Sequence, residues 1–528
     1  MSLKPTLSRT AKMKMYGFSL PADLVGEVSE EDITGALIGQ AFCDNTTSHG
    51  IPHTYRAASQ GKRAAWFILS LLSVGALSFH LSQLISVFIQ FDTSTDIKLN
   101  NDIRSLAFPA VTICNNNMIR SSAITSALNT LVSTASNKQD RAQAKHDILE
   151  DLAYEYALLE DDDIKFQLGH QFESLVQWAD FNYEDVADDF IHFFNPYHGN
   201  CFTFNHFSDS NKSSSVRAGA EYGLVMLLNI QQYEYVPYLT EASGVKILIH
   251  DPEEMPFPED GGITVAPNTR TRLAVKRTEY TRKNGRYGNC LEVGEDDFPL
   301  TIYNYQYGYS YSKPACEKSC VQEQAIKECG CFLPEIPYNE SFYSDYDAVK
   351  PCDGGNSSVC VEEIYYNFTS GSLKCENCHE PCHEVVFDVT PSATVWPAPS
   401  YMGDLKDTVQ SDMPALFDEL QKNYELYDSI SVPIQENLLQ VMVFYDKIAV
   451  TESVQEPKVS DFQFVSDLGG SLGLWVGWSM LTVFEFMELG IDLLVLCCVK
   501  LRISQNDRRT HPQKIDVQQQ MISTNHKY

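Results

Sequence analysis

Positive charge is scarce in this chain, which has 39 Lys and Arg residues against 70 Asp and Glu among 528 residues. The formal net charge of −31 disfavours nucleic acid and favours cations, cationic peptides or protons as ligands. The alternative for most of these acids is a well-solvated surface with no ligand. Catalytic motifs are missing too: there is no nucleotide-binding loop, no metalloprotease motif and no Ser/His/Asp signature, and the 13 histidines follow no ligand spacing. The sequence therefore predicts neither an enzyme nor a cofactor.

Charged residues are absent from 64–91, a run of 28 residues that is long enough for one membrane-spanning helix. Lys62 and Arg63 precede this run, and Lys500 follows a second apolar stretch at 467–499. The positive-inside rule then puts both termini in the cytosol. The predicted organisation is a cytosolic 1–63, a lipid-embedded span at 64–91, an extracellular 92–466, a second span at 467–499 and a cytosolic 500–528.

The second span has features that a simple anchor does not need. Glycines recur at every fourth position from 469 to 477, a spacing that lets membrane helices pack closely. Glu485, Glu488 and Asp492 follow at i, i+3 and i+7, so on a helix they share one face. A lipid-facing carboxylate costs about 2.5–3.5 kcal/mol, so these acids are predicted to line a cation pore. The alternative is that they lie among cytosolic headgroups.

The segment between the predicted spans carries the negative charge and most of the cysteines. Residues 92–467 contain 59 Asp and Glu against 26 Lys and Arg, and 12 of the 15 cysteines. An even number of cysteines in an extracellular segment implies a disulfide framework. N-glycosylation sequons in the same segment are at Asn211, Asn339, Asn356 and Asn367.

A Cys-x-x-Cys-His pattern within 375–383 resembles a haem attachment site or a zinc knuckle. Nine neighbouring cysteines in an oxidising space favour disulfides instead. Helical periodicity is present at 140–159 and 412–428. Strands are predicted at 201–205, 223–230, 244–251, 272–280, 384–389 and 437–446. The predicted fold is α+β, with two transmembrane helices flanking a large disulfide-rich extracellular domain that has a central β-sheet and peripheral helices.

Six sequence pieces, in this order, resemble the degenerin/epithelial sodium channel/acid-sensing ion channel superfamily. They are His49-Gly50, KRAAW at 62–66, FPAVTICN at 108–115, CFTFN at 201–205, the cysteine-rich strip at 290–382, and DLGGSLGLWVGWS at 467–479. The resemblance implies a voltage-insensitive, amiloride-sensitive sodium channel of the plasma membrane, built as a homotrimer or as a heterotrimer with related subunits. It also implies an extracellular domain shaped like a hand.

The resemblance assigns roles to individual residues. Gly477, Trp478 and Ser479 occupy the Gly-x-Ser selectivity filter, although Trp478 is bulkier than the usual middle residue. Asp467 matches an acid at the outer mouth of the pore, and Ser466 the position where bulky residues hold degenerins open. His49 and Gly50 match a dipeptide that controls open probability. The implied disulfides are Cys114–Cys201, Cys290–Cys382, Cys316–Cys378, Cys320–Cys375, Cys329–Cys360 and Cys331–Cys352.

The expected stimulus is an extracellular RFamide-type neuropeptide, as in an invertebrate branch of the superfamily. Proton-gated members carry histidines and a Glu just before FPAV, whereas residues 91–107 here contain no His and no Glu. Proton-gated or constitutive activity is the alternative. ATP-gated receptors share the two-span plan but need a basic patch, and a two-span adhesion protein would not need acids in line with glycines.

Overall fold

The computed structural model describes residues 35–124, 156–159, 161–208, 212–236, 239–292, 300–346, 349–352, 358–425 and 430–510. The chain divides into a helical unit, Met1–Asp92 with Pro457–Tyr528, and a disulfide-rich unit, Thr93–Glu456. The boundaries fall close to the ends of the predicted extracellular segment.

The described part of the helical unit contains two short helices and three longer ones: Gly35–Asn45, Ile51–Arg56, Gln60–Ile89, Asp461–Val476 and Met480–Thr510. Within the described residues, Gln60–Ile89 is the one helix long and apolar enough to cross a membrane. The side chain of Ser59 caps its start by accepting a hydrogen bond from the Lys62 backbone N–H at 3.3 Å. The helix begins four residues before the predicted span and ends two residues before its predicted end.

The stretch predicted as the second span, 467–499, is shared between two helices. Asp461–Val476 has 16 residues, which is short for a membrane-spanning helix, and Met480–Thr510 contains three carboxylates in its first half. A second spanning helix is therefore not shown. The shorter helix runs antiparallel to Gln60–Ile89: the Phe88 and Phe464 rings stack at 4.1 Å, and Ser471 Oγ lies 3.3 Å from His80 Nδ1.

Two β-sheets form the centre of the disulfide-rich unit. Its strands are β1 Thr93–Asn100, β2 Leu106–Ala107, β3 Ala110–Asn115, β4 Val176–Phe181, β5 Glu184–Asp185, β6 Phe190–Asn195, β7 Gly199–Phe204, β8 Ser214–Ser215, β9 Leu224–Asn229, β10 Val245–His250, β11 Ile263–Val265, β12 Thr269–Thr281, β13 Cys331–Phe332, β14 Lys350–Pro351, β15 His383–Val395 and β16 Leu438–Pro457. One sheet has the order β15-β12-β16-β9-β4-β5 with β1 beside β16, and the other β11-β10-β3-β7-β6.

One hydrophobic core is shared by the two sheets. It includes Ile113 and Phe204 from the five-stranded sheet and Met226, Leu273 and Val441 from the seven-stranded sheet, all fully or almost fully buried. The α-helices in the described part of this unit are Asp162–Leu168, Phe172–Leu175, Pro258–Gly261, Ile302–Tyr307, Lys313–Gln324, Ser358–Thr369, Met402–Asp412, Pro414–Asn423 and Ser431–Asn437. Two further, smaller hydrophobic cores of this unit contain residues of these helices.

All six predicted strands are present, and the structure extends three of them, as β12, β15 and β16. The helix predicted at 412–428 is wrong at its start. Met402–Asp412 and Pro414–Asn423 are separate helices, because proline is favoured in a first turn and disfavoured in a helix interior. Most of the helix predicted at 140–159 lies outside the described residues. The other ten of the sixteen described strands were not predicted, and the longest of these are β1, β3, β4 and β6.

Six disulfides cross-link the unit: Cys114–Cys201, Cys290–Cys382, Cys316–Cys378, Cys320–Cys375, Cys329–Cys360 and Cys331–Cys352. These are the pairs that the family resemblance implies. The cysteines of the 375–383 pattern are all bonded, so their thiolates are not available to zinc or haem. Cys43, Cys497 and Cys498 are free thiols.

Candidate functional site

The candidate site begins at a three-residue break between two helices of the helical unit. Gly477 ends Asp461–Val476 in the left-handed conformation with φ +70°, and its N–H donates to the Gly473 carbonyl at 3.1 Å. The Trp478 N–H donates to Leu472 at 3.2 Å, which completes a common C-terminal capping motif. Ser479 then starts the next helix, because its Oγ accepts from the Thr482 N–H at 3.3 Å. Glycine followed by serine therefore breaks the helix for local reasons.

The segment Thr46–Gly50 packs against this break. The His49 N–H donates to the Val476 carbonyl at 3.0 Å. A Cβ added to Gly477 would lie 2.3 Å from both Cγ and Nδ1 of His49, so only glycine fits against the imidazole. Gly50 has φ +89°, and a Cβ there would lie 2.3 Å from Ser70 Oγ in Gln60–Ile89. Two of the sequence-predicted residues, His49 and Gly477, are thus in direct contact.

Trp478 lies over the same segment. Its Nε1–H donates to Ser48 Oγ at 2.8 Å, and its ring centroid is 4.9 Å from that of Phe486. Phe486 also contacts Phe42, with ring centroids 4.8 Å apart. The bulky middle residue of the Gly-x-Ser segment is therefore accommodated by packing onto residues near the N-terminus.

Glu485 makes a specific contact that sequence reasoning missed. One of its carboxylate oxygens accepts from Thr46 Oγ1 and from the Thr47 backbone N–H, both at 2.9 Å. Thr47 Oγ1 lies 2.8 Å from Thr482 Oγ1. The carboxylate therefore anchors Thr46 and Thr47 to the start of Met480–Thr510. In the sequence, the run of hydroxyl residues just before His49-Gly50 was the available signal for this contact.

Other predicted residues lie apart from this contact. Glu488 and Asp492 are on the same helix as Glu485, one and two turns further on. Ser466 and Asp467 belong to the preceding helix; Ser466 is exposed, and Asp467 Oδ1 accepts from Gln463 Nε2 at 2.7 Å. The structure thus brings His49 and Glu485 to the helix break and leaves Ser466 and Asp467 two to three turns away.

A cavity of about 1200 Å³ lies in the disulfide-rich unit. Pockets for small molecules usually measure roughly 300–1000 Å³, so this one has room for an oligopeptide. Five of its lining residues are acids and only two are lysines; the acids are Asp162, Asp163, Glu259, Glu335 and Glu340, and the lysines are Lys165 and Lys350. Aromatic rings, including Phe257 and Tyr307, form much of the rest.

The five acids of the cavity differ in their surroundings. Glu259 accepts from Asn195 Nδ2 at 2.9 Å and pairs with Lys318 Nζ at 3.0 Å, and Glu335 accepts from the Tyr365 hydroxyl at 2.5 Å. Asp162, Asp163 and Glu340 are exposed. Burial lowers the pKa of the lining residues His192 and His206, which keeps them neutral near pH 7. The cavity is therefore electronegative.

Two of the four predicted sequons lie among the described residues. Asn339 lines the cavity, and Asn367 is on the helix Ser358–Thr369 and is not a lining residue. Asn211 and Asn356 are outside the described residues.

Comparison with known proteins gives one consistent result. The sequence profile of the family "Amiloride-sensitive sodium channel" matches residues 42–489, a range that includes the whole helix break and the segment packed against it. The human epithelial sodium channel subunit alpha is 26% identical over 553 residues, covering 87% of this chain and 78% of that protein. The subunit alpha of Cavia porcellus is 25% identical, covering 88% and 77%.

Degenerin unc-8 of Caenorhabditis elegans is 29% identical over 345 residues, covering 63% of this chain and 40% of that protein. Because the family profile matches well over half of the sequence, and because the sodium channel and degenerin relatives agree with it, the chain belongs to the amiloride-sensitive sodium channel family, a family of ion channels and not of enzymes.

Proposed function

We propose that this chain is a subunit of a trimeric, sodium-selective cation channel of the plasma membrane, in which Gly477, Trp478 and Ser479 form the selectivity filter. The observation that carries the proposal is the helix break at these residues, held by His49, in a chain of a sodium channel family. A break removes the intrahelical partners of several backbone carbonyl groups, of which the cap and the His49 N–H bond those of Leu472, Gly473 and Val476. Carbonyl rings of this kind can replace part of the hydration shell of an ion.

The proposed topology has spans at 64–91 and 467–499, with both termini cytosolic. Six disulfides between residues 114 and 382 support an extracellular location of the intervening segment, since such bonds persist in oxidising compartments. The glycine face supports the association of copies. A Cβ at Gly469 would meet nothing within 4 Å among the described residues, and one at Gly473 would meet only the Trp478 carbonyl oxygen at 3.8 Å. The part of the face around Gly469 and Gly473 is therefore open to a neighbouring subunit, whereas Gly477 is covered by His49.

Whole-cell recording with Ser479→Ala tests the filter. The substitution removes the hydroxyl at the break, and we expect a change in the sodium-to-potassium reversal potential and in amiloride block. Ser78→Ala, the same change on the exposed side of Gln60–Ile89, is the matched control and should leave both unchanged. An unaltered reversal potential in Ser479→Ala, with normal surface labelling, would remove this segment from the filter.

We also propose that the channel is opened by a small cationic, aromatic peptide of the RFamide type. The electronegative, aromatic cavity supports this choice, because carboxylates favour a guanidinium and aromatic faces favour both phenyl rings and cations. Perfusion with amidated peptides, acid and ATP in turn identifies the stimulus, with the same peptide bearing a free carboxyl terminus as control. Opening by acid alone, or a standing current without ligand, would refute peptide gating and leave the channel assignment intact.

The exposed acids of the cavity give a sharper test of peptide gating. Asp163→Asn should raise the half-activating peptide concentration about two- to fivefold, because an exposed ion pair contributes about 0.4–1 kcal/mol. Glu362→Gln neutralises an exposed acid that does not line the cavity and should have no effect. Equal shifts in both variants would indicate a general loss of negative charge and would rule out this cavity as the binding site.

A further inference from the structure

The sequon Asn339-Glu340-Ser341 lies at the electronegative cavity, and both Asn339 and Glu340 line it. Asn339 is half-buried, while Glu340 and Ser341 are exposed, so the sequon runs from the lining to the surface. The sequon at Asn367 lines no part of the cavity. An N-linked glycan is bulky and hydrophilic, so its position relative to an opening decides what can pass.

The local geometry at Asn339 is well defined. Its Oδ1 accepts from the backbone N–H groups of Ser341 at 2.9 Å and Phe342 at 3.2 Å, which forms an Asx turn. The Tyr338 ring stacks on Phe332 and on Tyr343, with centroids 4.4 Å and 5.8 Å apart. Among the described residues nothing hydrogen-bonds Nδ2, the atom that would carry a glycan. The attachment point is therefore available and is held on a rigid turn at the cavity.

We propose that an N-linked glycan on Asn339 acts as a size filter for this cavity. It admits small ligands, such as short cationic peptides, and slows the entry of folded polypeptides. The inference rests on the extracellular placement of 92–466 in the proposed function. It assigns separate roles to the two sequons: the glycan on Asn339 controls access, and any glycan on Asn367 does not.

Glycosylation at this site is tested on the full-length chain with Ser341→Ala and Ser341→Thr. The first removes the sequon and the second preserves it, while the backbone N–H that bonds Asn339 is kept in both. We expect Ser341→Ala to migrate faster than Ser341→Thr on a denaturing gel, and we expect this difference to vanish after treatment with an N-glycosidase. Equal mobility before treatment would overturn the proposal.

Access is measured with Gln306→Cys, an exposed position on the cavity wall. Intact cells are labelled with a small thiol reagent and with a maleimide attached to a long polyethylene glycol. With Ser341→Ala, or after N-glycosidase treatment of the cells, the bulky reagent should react several-fold faster and the small reagent equally fast. Thr369→Ala, which removes the Asn367 sequon, is the matched control and should change neither rate.

Equal rates for the bulky reagent with and without the Ser341 sequon would refute the size filter. The parent chain without Gln306→Cys gives the background labelling. Because labelling requires no current, a silent channel would count against the proposed function and not against this inference.

Discussion

At the scale of single residues, Gly477 and His49 depend on each other. Gly477→Ala combines a strained left-handed backbone, which costs about 1–2 kcal/mol, with a contact of 2.3 Å to the imidazole. We expect it to reduce whole-cell current at constant surface expression. His49→Ala removes the ring and should restore part of the current of Gly477→Ala in the double variant.

The control for this pair is His53→Ala, which removes a histidine stacked on Trp66 at 4.7 Å and away from Gly477. Combined with Gly477→Ala, it should restore none of the lost current. If His49→Ala and His53→Ala had the same effect on Gly477→Ala, the contact between His49 and Gly477 would not explain the loss of current.

His170 is a buried residue whose titration affects stability. Its Nδ1–H donates to Gln231 Oε1 and its Nε2 accepts from Asn117 Nδ2, both at 2.9 Å, in the tautomer that suits these partners. Burial lowers the pKa of His170 from 6.5 to about 4. Between these values the unfolded chain binds a proton that the native state does not. The free energy of unfolding therefore falls as pH drops through this window, by up to about 3 kcal/mol.

His170→Gln should reduce the acid dependence of stability. We expect a smaller fall in the melting temperature of the purified protein between pH 7 and pH 4.5 than in the parent chain. The exposed His383→Gln serves as control and should leave this fall unchanged. An equal fall in His170→Gln and the parent would show that other groups dominate the acid response.

At the scale of elements, Glu485 connects the segment before His49 to the helix Met480–Thr510. Thr46→Val removes one of its two hydrogen bonds, worth about 1.5–3 kcal/mol when the acceptor is charged. If the main role of Glu485 is to anchor this segment, Thr46→Val and Glu485→Gln should both alter open probability and leave unitary conductance nearly constant. Glu488 is predicted to be a pore acid, so Glu488→Gln should instead lower unitary conductance.

Single-channel recording separates the two roles of these acids. If Thr46→Val has the open probability of the parent chain and Glu485→Gln has a reduced unitary conductance, Glu485 would be assigned to the ring of pore charge. Parental conductance in Glu485→Gln, Glu488→Gln and Asp492→Asn would favour the alternative in which all three lie among headgroups.

At the scale of the whole molecule, substitutions at Ser466 test whether the helices of the proposed trimer converge there when the channel is closed. The side chain is exposed in the single chain and lies one residue before Asp467. In a trimer whose helices converge there, a Trp at 466 adds volume at a close contact and costs about 1–3 kcal/mol, enough to shift a closed-to-open balance of similar size. We expect Ser466→Trp to give a standing, amiloride-sensitive current without ligand.

Ser466→Ala is the matched control and should close normally. The standing current of Ser466→Trp should respond little to a peptide that opens the parent chain. A silent Ser466→Trp variant that reaches the cell surface would argue against convergence of the helices at this residue.

Much of the architecture follows from local sequence. The apolar run at 64–91 yields the long helix Gln60–Ile89, and runs rich in β-branched or aromatic residues yield strands such as β10 and β16, because these side chains suit a pleated, half-buried surface. Gly477 and Ser479 break the helix through their own backbone preferences. Strand β3 was missed although it contains β-branched residues; like the predicted strand β7 it is buried at every position, so no clear alternation of apolar and polar residues marks its ends.

Only the tertiary structure decided which distant segments meet. Thr46 and Glu485 are 439 positions apart, and neither residue type nor spacing distinguishes them from other hydroxyls and acids in the chain. The grouping of Asp162, Glu259 and Glu340 around one cavity likewise depends on how helices and loops from separate parts of the sequence pack. Backbone propensity and capping act within a few residues and are encoded locally, whereas these contacts depend on the packing of the complete core.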